Sequence, residues 1–252
     1  MNPVLRWFHQ LGSPPYFDRF AARWAPWLLW AALPPLLFGV YMGLWVVPPD
    51  YQQGDSYRIL FVHVPSAWMS LMIYAVMAIN AFIALVWRIK LSELLAMACA
   101  PIGAGFTLVT LISGSLWGKP MWGTWWTWDA RLTSELVLLF LYLGVMGLHA
   151  AIEERRSAAR AACFLALIGL VNLPIVHFSV VWWNTLHQGS TIRLFGPSSM
   201  DPSMLAPLLL MTLATKLWFA GSLLRRTQAE LLHAEAGKDW VQSKFKVADR
   251  AR

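Results

Sequence analysis

Hydrophobic residues in this chain form six long stretches, and shorter segments between them hold most of the charged residues. A helix needs about 20 mainly apolar residues to cross the hydrocarbon of a bilayer, where only its own hydrogen bonds satisfy the backbone. The six stretches are Trp27–Val47, Ile59–Trp87, Leu94–Gly118, Leu136–Ile152, Ala161–Ile192 and Pro202–Leu224. The pattern therefore predicts an all-α membrane protein with six transmembrane helices.

Two of the stretches differ in length from a simple span. Leu136–Ile152 is short, and the uncharged residues 132–134 just before Glu135 favour an earlier start. Ala161–Ile192 contains no charged residue and is too long for one straight helix across a bilayer. Lys216 is the one charge inside the last stretch, and we interpret it as a structural residue that snorkels toward the nearer membrane surface.

Lysine and arginine residues are divided unequally between the two sides of the predicted bundle. Fifteen lie in the terminal segments and in the loops on their side of the membrane. The four on the opposite side are Arg58, Lys119, Arg131 and Arg193. Cytoplasmic loops carry the excess of positive residues, so both termini are predicted to be cytoplasmic. The chain then divides into a cytoplasmic segment 1–26, a six-helix domain 27–224 and a cytoplasmic tail 225–252.

The remaining polar features narrow the class of protein. The net charge of +7 follows from this topology, and no aromatic-basic motif favours a nucleic-acid partner. The tail is predicted to be a solvated surface helix, because Leu231 and Leu232 give it only a weak apolar stripe. Residues 1–26 lack the short apolar core and cleavage site of a signal peptide. Cys99 and Cys163 lie in different stretches, so neither a CxxC pair nor a zinc site is expected.

Tryptophan is unusually frequent, with 16 residues in 252. Several lie at span ends, where indoles anchor helices at the membrane surface. The segment WGKPMWGTWWTWDAR is different, because it holds Trp117, Trp122, Trp125, Trp126 and Trp128. If the segment is helical after Gly123, Trp122, Trp125, Trp126 and Asp129 share one face. Such a face suits a planar macrocycle, although a membrane-interface belt explains the pattern as well.

Histidine positions favour the ligand interpretation. His63 and His187 lie at the outer ends of the second and fifth stretches, on either side of the tryptophan segment along the chain. Neutral imidazole is a common ligand of haem iron, and two of them give a six-coordinate site. Trp183 and His187 are spaced i, i+4, so a helical turn would bring indole and imidazole together. His177 lies deeper in its span and is predicted to hydrogen-bond a neighbouring helix instead.

The four outward cations are candidate partners for the propionates of a haem, because carboxylates need cationic or N–H donors. The sequence does not choose among Arg58, Lys119, Arg131 and Arg193. Arg131 and Glu135 are spaced i, i+4 and could equally form a purely structural pair. A carboxylate would repel a propionate, so Asp129 is predicted to brace the loop by accepting N–H groups or by pairing with an arginine.

The motif WGKPMWGTWWTWDARLTSELVLLFLYLG resembles the tryptophan-rich WWD domain of haem-handling proteins. More narrowly, YQQGDSYRILFVHVPSAW and VNLPIVHFSVVWWNTLHQGST resemble the CcmC family of cytochrome c maturation, and the similarity extends over residues 20–224. Membership would imply haem b bound at the outer face of the bacterial inner membrane by the WWD segment 117–131. The matching indoles and carboxylate are Trp117, Trp122, Trp125, Trp126, Trp128 and Asp129, with His63 and His187 as the axial ligands.

The resemblance also implies partners and a function. Family members act beside the ATPase CcmA, the permease CcmB and the small one-span protein CcmD. They deliver haem to the membrane-anchored chaperone CcmE, which holds it through a covalent bond to its own histidine. The expected function is thus haem binding and delivery for c-type cytochrome biogenesis rather than catalysis. The alternatives are a transporter that moves haem across the bilayer and a haem-containing membrane redox enzyme.

Overall fold

Helices make up most of the fold in the computed structural model, which describes residues 12–189 and 200–250. Its α-helices are α1 (Pro14–Tyr41), α2 (Leu60–Trp87), α3 (Lys90–Trp122), α4 (Ala130–Ala151), α5 (Arg155–Gly169), α6 (Asn172–Trp182), α7 (Pro202–Ala234) and α8 (Asp239–Arg250). A π-helix, Met42–Val46, extends α1, and a 3-10 helix, Asp55–Ile59, leads into α2.

Six helical segments of the described residues are long and apolar enough to cross a membrane, which confirms the predicted number. They are the extended α1, the extended α2, α3, α4, the pair α5–α6, and α7. The helices are longer than the apolar stretches, since α1 begins at Pro14 and α7 ends at Ala234. A helix of 33 residues is about 50 Å long, whereas the hydrocarbon is about 30 Å thick. Charged residues therefore mark the membrane boundary, while the helices continue beyond it.

The long fifth stretch is a broken helix followed by irregular chain. Helix α5 ends at Gly169 and α6 begins at Asn172. Pro174 has no N–H to donate and its ring would clash with the carbonyl of Leu170, so a continuous helix is unfavourable here. Asn172 compensates by donating its side-chain amide to the Ser134 carbonyl of α4, at 2.9 Å. The uncharged stretch is therefore longer than one straight span because it contains this break and the irregular chain after Trp182.

A pair of tyrosines marks the centre of the core between α2, α3, α4 and α5. The rings of Tyr74 and Tyr142 meet edge to face at 5.0 Å, and both are fully buried. The Tyr142 hydroxyl donates to the Ser70 carbonyl at 2.7 Å. Gly103 of α3 gives the Tyr142 ring its space, because a Cβ there would lie 2.1 Å from the ring. Helices α1 and α7 pack together on this core.

The C-terminal segment is not a solvated tail, contrary to the sequence-based prediction. Val241 of α8 is buried, and Trp240 donates its indole N–H to Glu235 at 2.8 Å. The ammonium of Lys244 contacts both oxygens of the buried Asp18 in α1, each at 2.7 Å. The apolar residues of α8 lie beyond the weak stripe of Leu231 and Leu232, so that stripe alone underestimates the packing of this segment.

Candidate functional site

A cavity lies at the end of the bundle where α3 ends and where α2 and α4 begin. It is open on one side, and its empty space is about 720 Å³ when the adjoining solvent is counted. Its lining includes two imidazoles, three indoles and two charged groups. These residues are His63, His187, Trp117, Trp122, Trp126, Arg131 and Glu135. The structure thus brings both predicted histidines and three of the predicted tryptophans into one cavity.

Between Gly123 and Asp129 the tryptophan segment is a loop, so the prediction of a helical face after Gly123 is wrong. Helix α3 ends at Trp122 because Gly123 adopts a positive φ of 76° and closes the helix with a bond to the Lys119 carbonyl. Asp129 starts α4 by accepting the Leu132 amide at 2.8 Å, as its predicted bracing role requires. Because this loop is not helical, the indoles of Trp125, Trp126 and Trp128 do not share one face.

Two predicted tryptophans of the loop face away from the cavity. Trp125 is 54% exposed and Trp128 is 77% exposed, and neither lines the cavity. Trp117, in contrast, is buried and donates its indole N–H to Gln53 at 3.0 Å. Trp126 lines the cavity, and its buried indole N–H has no acceptor among the described residues. The loop therefore separates cavity-lining indoles from exposed ones at the rim.

The segment that carries His187 is also irregular. Helix α6 ends at Trp182 and Trp183 is extended, so the predicted helical turn from Trp183 to His187 is absent. Trp183 is half exposed, packs edge-on against Trp182 and does not line the cavity. The Thr185 hydroxyl donates to Asp129 and accepts the His187 amide, so a single side chain ties this segment to the tryptophan loop.

His63 is held in one tautomer by its neighbours on α3. Its Nδ1 lies 3.0 Å from the Ser113 hydroxyl, which donates its own proton to the Val109 carbonyl at 2.6 Å. The hydroxyl must therefore accept from Nδ1–H, which leaves Nε2 with a free lone pair. Gly114 permits the close approach, since a Cβ there would lie 3.0 Å from the imidazole Cε1.

His187 has the same tautomer for a different reason. Its Nδ1 lies 2.8 Å from the Gln188 carbonyl, which can only accept, so Nδ1 carries the proton and Nε2 is free. Burial lowers the pKa of His187, and the positive charge of Arg131 lowers that pKa further. The ring is therefore neutral near pH 7, as a metal ligand must be.

The distance between the two imidazoles suits one metal ion between them. Their ring centres are 6.3 Å apart, with an angle of 35° between the planes. A metal–imidazole bond is about 2.0–2.1 Å, so two ligands on opposite sides of one ion place their ring centres about 6 Å apart. Trp117 meets the His63 ring edge to face at 5.7 Å, and Trp122 lies 6.3 Å from His187. The spacing of the imidazoles and the indoles beside them fit the donor set and the apolar surface that a flat, metal-centred ligand needs.

His177 is placed differently from the two cavity histidines. Its side chain is exposed on α6, where the ring contacts Phe178 edge to face at 4.7 Å. The prediction that this histidine side chain hydrogen-bonds a neighbouring helix is wrong, since the ring makes no hydrogen bond with the described residues and only the backbone carbonyl accepts from Arg131 of α4, at 3.5 Å. The ring itself lies outside the cavity lining.

Only Arg131 of the described outward cations lines the cavity. Its Nη1 donates to the Val176 carbonyl at 2.6 Å, which fixes the side chain between α4 and α6. The predicted alternative of a pair with Glu135 is not the arrangement found, because Glu135 accepts from the Ser70 hydroxyl at 2.7 Å.

The other predicted cations have different surroundings. Arg58 binds Asp55 and the carbonyls of Gly43 and Val47. Lys119 donates to the Gly123 carbonyl and lies over the Trp125 ring. Arg193 lies outside the described residues. Arg58 and Lys119 therefore donate hydrogen bonds to backbone carbonyls and do not line the cavity.

Some site residues carry no signal in the sequence. Ser113 and Glu135 lie in apolar helices, and their partners are 50 and 65 residues away along the chain. Gln53 and Thr185 belong to irregular segments whose contacts depend on tertiary structure. These four residues belong to the site because they hydrogen-bond residues far away in the sequence, which the spacing along one helix does not reveal.

Six membrane-spanning helices and a cavity that places two imidazoles among indoles define a multi-pass membrane protein with a candidate site for a flat metal complex. Comparison with known families identifies the group to which it belongs. The family model described as Heme exporter protein C matches residues 7–242, and the chain is a member of that family.

Similar proteins extend over nearly the same length. Heme exporter protein C of Escherichia coli (strain K12) is 53% identical over 233 residues, which are 92% of this chain and 94% of that protein. Heme exporter protein C of Haemophilus influenzae is 45% identical over 238 residues, or 94% and 97% of the two chains. A putative cytochrome c biosynthesis ccmC-like mitochondrial protein of Marchantia polymorpha is 52% identical over 171 residues, or 68% and 72%.

Proposed function

We propose that the protein binds haem b in this cavity and delivers it to the haem chaperone CcmE for c-type cytochrome biogenesis. The observation that carries the proposal is the pair of free Nε2 atoms, on His63 and His187, with ring centres 6.3 Å apart in one cavity. The relatives' printed names agree with haem as the cargo. Bis-histidine ligation would give a low-spin, six-coordinate iron.

Several other residues in and beside the cavity have roles that their chemistry supports. Trp117, Trp122 and Trp126 offer apolar faces to the macrocycle. The free indole N–H of Trp126 and the guanidinium of Arg131 are donors for carboxylate oxygens, which a haem carries on its propionates. The Asp129–Thr185 hydrogen bond holds the tryptophan loop beside the His187 segment. Asp129 thus acts on the positions of both segments without contacting the haem.

The exposed rim supports delivery to a partner. Trp125, Trp128 and Trp183 surround the site but expose at least half of their surface. Large exposed aromatics are enriched at protein interfaces, so this rim is our candidate surface for the haem-accepting chaperone. The ATPase, permease and one-span subunits CcmA, CcmB and CcmD belong to the proposal through family resemblance.

Transport of haem through the bundle is the alternative, and the described core offers it no support. Below Thr110, which lines the cavity, the centre of the bundle is filled by the fully buried rings of Tyr142 and Tyr74. Haem is far larger than any gap left in such a packed core. Binding at one face, followed by release at that face, therefore needs no rearrangement of the described core.

Orientation in the bacterial inner membrane can be tested by cysteine labelling. The excess of Lys and Arg at one end predicts that this end is cytoplasmic and the cavity end is periplasmic. With Cys99 and Cys163 replaced, Tyr51→Cys near the cavity should react with an impermeant maleimide added to intact cells. Ala229→Cys, exposed at the other end of the bundle, should react only after lysis. The reverse pattern would contradict the orientation.

Ser113 provides a test of the His63 tautomer. Removing a hydrogen-bond partner behind a metal-binding histidine typically weakens ligand affinity by about 10–100-fold. We expect Ser113→Ala to lower haem retention by that order, while Ser113→Thr keeps the hydroxyl and retains most of the haem. The readout is haem bound per protein, with the absorption spectrum, at matched expression. Equal retention in Ser113→Ala and the wild type would refute this role.

A further inference from the structure

A second cavity lies between α1, α3 and α7, away from the imidazole site. It has about 680 Å³ of empty space and opens widely to the surface of the bundle. Its apolar wall comes from Leu29 of α1, Ile102 of α3 and Trp218 of α7. Trp218 is fixed by an edge-to-face contact with Phe106 at 5.7 Å, although almost half of its surface is exposed. These residues form a groove on the outer surface of three helices.

Two arginines lie at one end of this groove. Arg225 and Arg226 both line it, are exposed, and make no hydrogen bond or ion pair with the described residues. Asp18 binds Lys244 and Glu235 binds Lys90, while Glu230, four residues after Arg226 on α7, forms no ion pair with either arginine. The groove therefore combines an apolar wall with two positive charges that form no ion pair with the described residues.

The position of the arginines along α7 gives these charges a natural anion. Arg225 and Arg226 directly follow the apolar run of α7, at the level where the helix leaves the hydrocarbon. Long basic side chains at this level place their charge among lipid headgroups and their stems along apolar surface. Basic pockets between transmembrane helices on the cytoplasmic side bind anionic headgroups. The Ser222 hydroxyl lines the same groove as a further polar contact.

We propose that this groove is a binding site for an anionic phospholipid. An acyl chain lies along Leu29, Ile102 and Trp218, and the headgroup phosphate lies between Arg225 and Arg226. The lipid fills the opening between α1 and the core. Without it, α1 packs mainly against α7. This site is separate from haem binding and does not rest on the proposed function.

The test uses the full-length protein in detergent, titrated with phosphatidylglycerol or phosphatidylcholine and measured by native mass spectrometry. One arginine near an anionic lipid surface contributes about a fivefold change in binding, so the double variant R225Q/R226Q should bind phosphatidylglycerol roughly 25-fold more weakly. The matched control is R155Q/R156Q, an adjacent exposed pair at the same end of the bundle that does not line the groove. We expect the control to change binding less than twofold.

Three results would overturn the proposal. Equal affinity of the wild type for both lipids would show that the negative charge of the lipid does not contribute to binding. Equal losses in the two double variants would indicate diffuse surface charge instead of a site. Complete displacement of the lipid by equimolar glycerol phosphate would exclude a contribution from the apolar wall. Retained preference for phosphatidylglycerol in Trp218→Phe, with loss in R225Q/R226Q, would support the site as described.

Discussion

Replacing either cavity histidine by alanine is expected to abolish the low-spin bis-histidine spectrum of the haem-loaded protein. Each of His63 and His187 offers one free Nε2, so under the proposed function removal of one would leave the iron with a single protein ligand. Haem retained after purification should fall in His187→Ala, because His63 would be the one remaining ligand of the iron and the contacts with indoles and Arg131 are weaker than a metal–imidazole bond. The measurement is the absorption spectrum together with haem content per protein.

His177→Ala is the matched control for this prediction. Its ring is exposed on α6 and lies outside the cavity lining, so the low-spin spectrum should persist. If His177→Ala abolishes the low-spin bands and His187→Ala preserves them, the ligand assignment is wrong. Adding imidazole to His187→Ala offers a second check, since a free imidazole should restore a six-coordinate spectrum.

Gly103→Ala is expected to destabilise the fold strongly, although it adds only one methyl group. The new Cβ would lie 2.1 Å from the buried Tyr142 ring and 2.3 Å from its hydroxyl, so the ring must move. Overpacking costs about 1–3 kcal/mol. Loss of the bond from Tyr142 to the Ser70 carbonyl adds about 1–3 kcal/mol. We expect the thermal midpoint in detergent to fall by about 5–10 °C.

Gly105→Ala, two residues further along the same helix, isolates the packing effect. No atom lies within 4 Å of a Cβ at this position, which is exposed on α3. Alanine favours helix more than glycine by about 1 kcal/mol, so the midpoint should stay constant or rise. Similar losses in Gly103→Ala and Gly105→Ala would show that the Tyr142 contact does not set the stability here.

The number of spans and the pair of cavity histidines follow from the sequence because both depend on strong local signals. Apolar length predicts each helix, and alternation of helix direction puts the outer ends of the second and fifth spans together. His63 and His187 therefore share a cavity even though 124 residues separate them in the numbering. The charge pattern, in contrast, starts α1 too late and ends α7 too early, because both helices continue past the apolar stretches into charged sequence.

The local conformation around the tryptophans was not predictable from periodicity. Gly123 and Asp129 are strong stop and start signals for helices, and they outweigh the i, i+3, i+4 spacing of the indoles. Weighing these two residues first would predict a loop with inward and outward indoles. Ser113 differs, since nothing in an apolar stretch distinguishes it from other small polar residues until α2 and α3 pack together.

The central claim is that haem held between His63 and His187 passes to the chaperone at this face of the membrane. The most direct measurement mixes the purified, haem-loaded full-length protein with haem-free chaperone, separates the two, and quantifies haem on each. We predict that haem lost from this protein appears on the chaperone in equal amount, with the low-spin bis-histidine spectrum decreasing in parallel. Haem that stays on this protein, or a purified protein whose haem lacks that spectrum, would contradict the account.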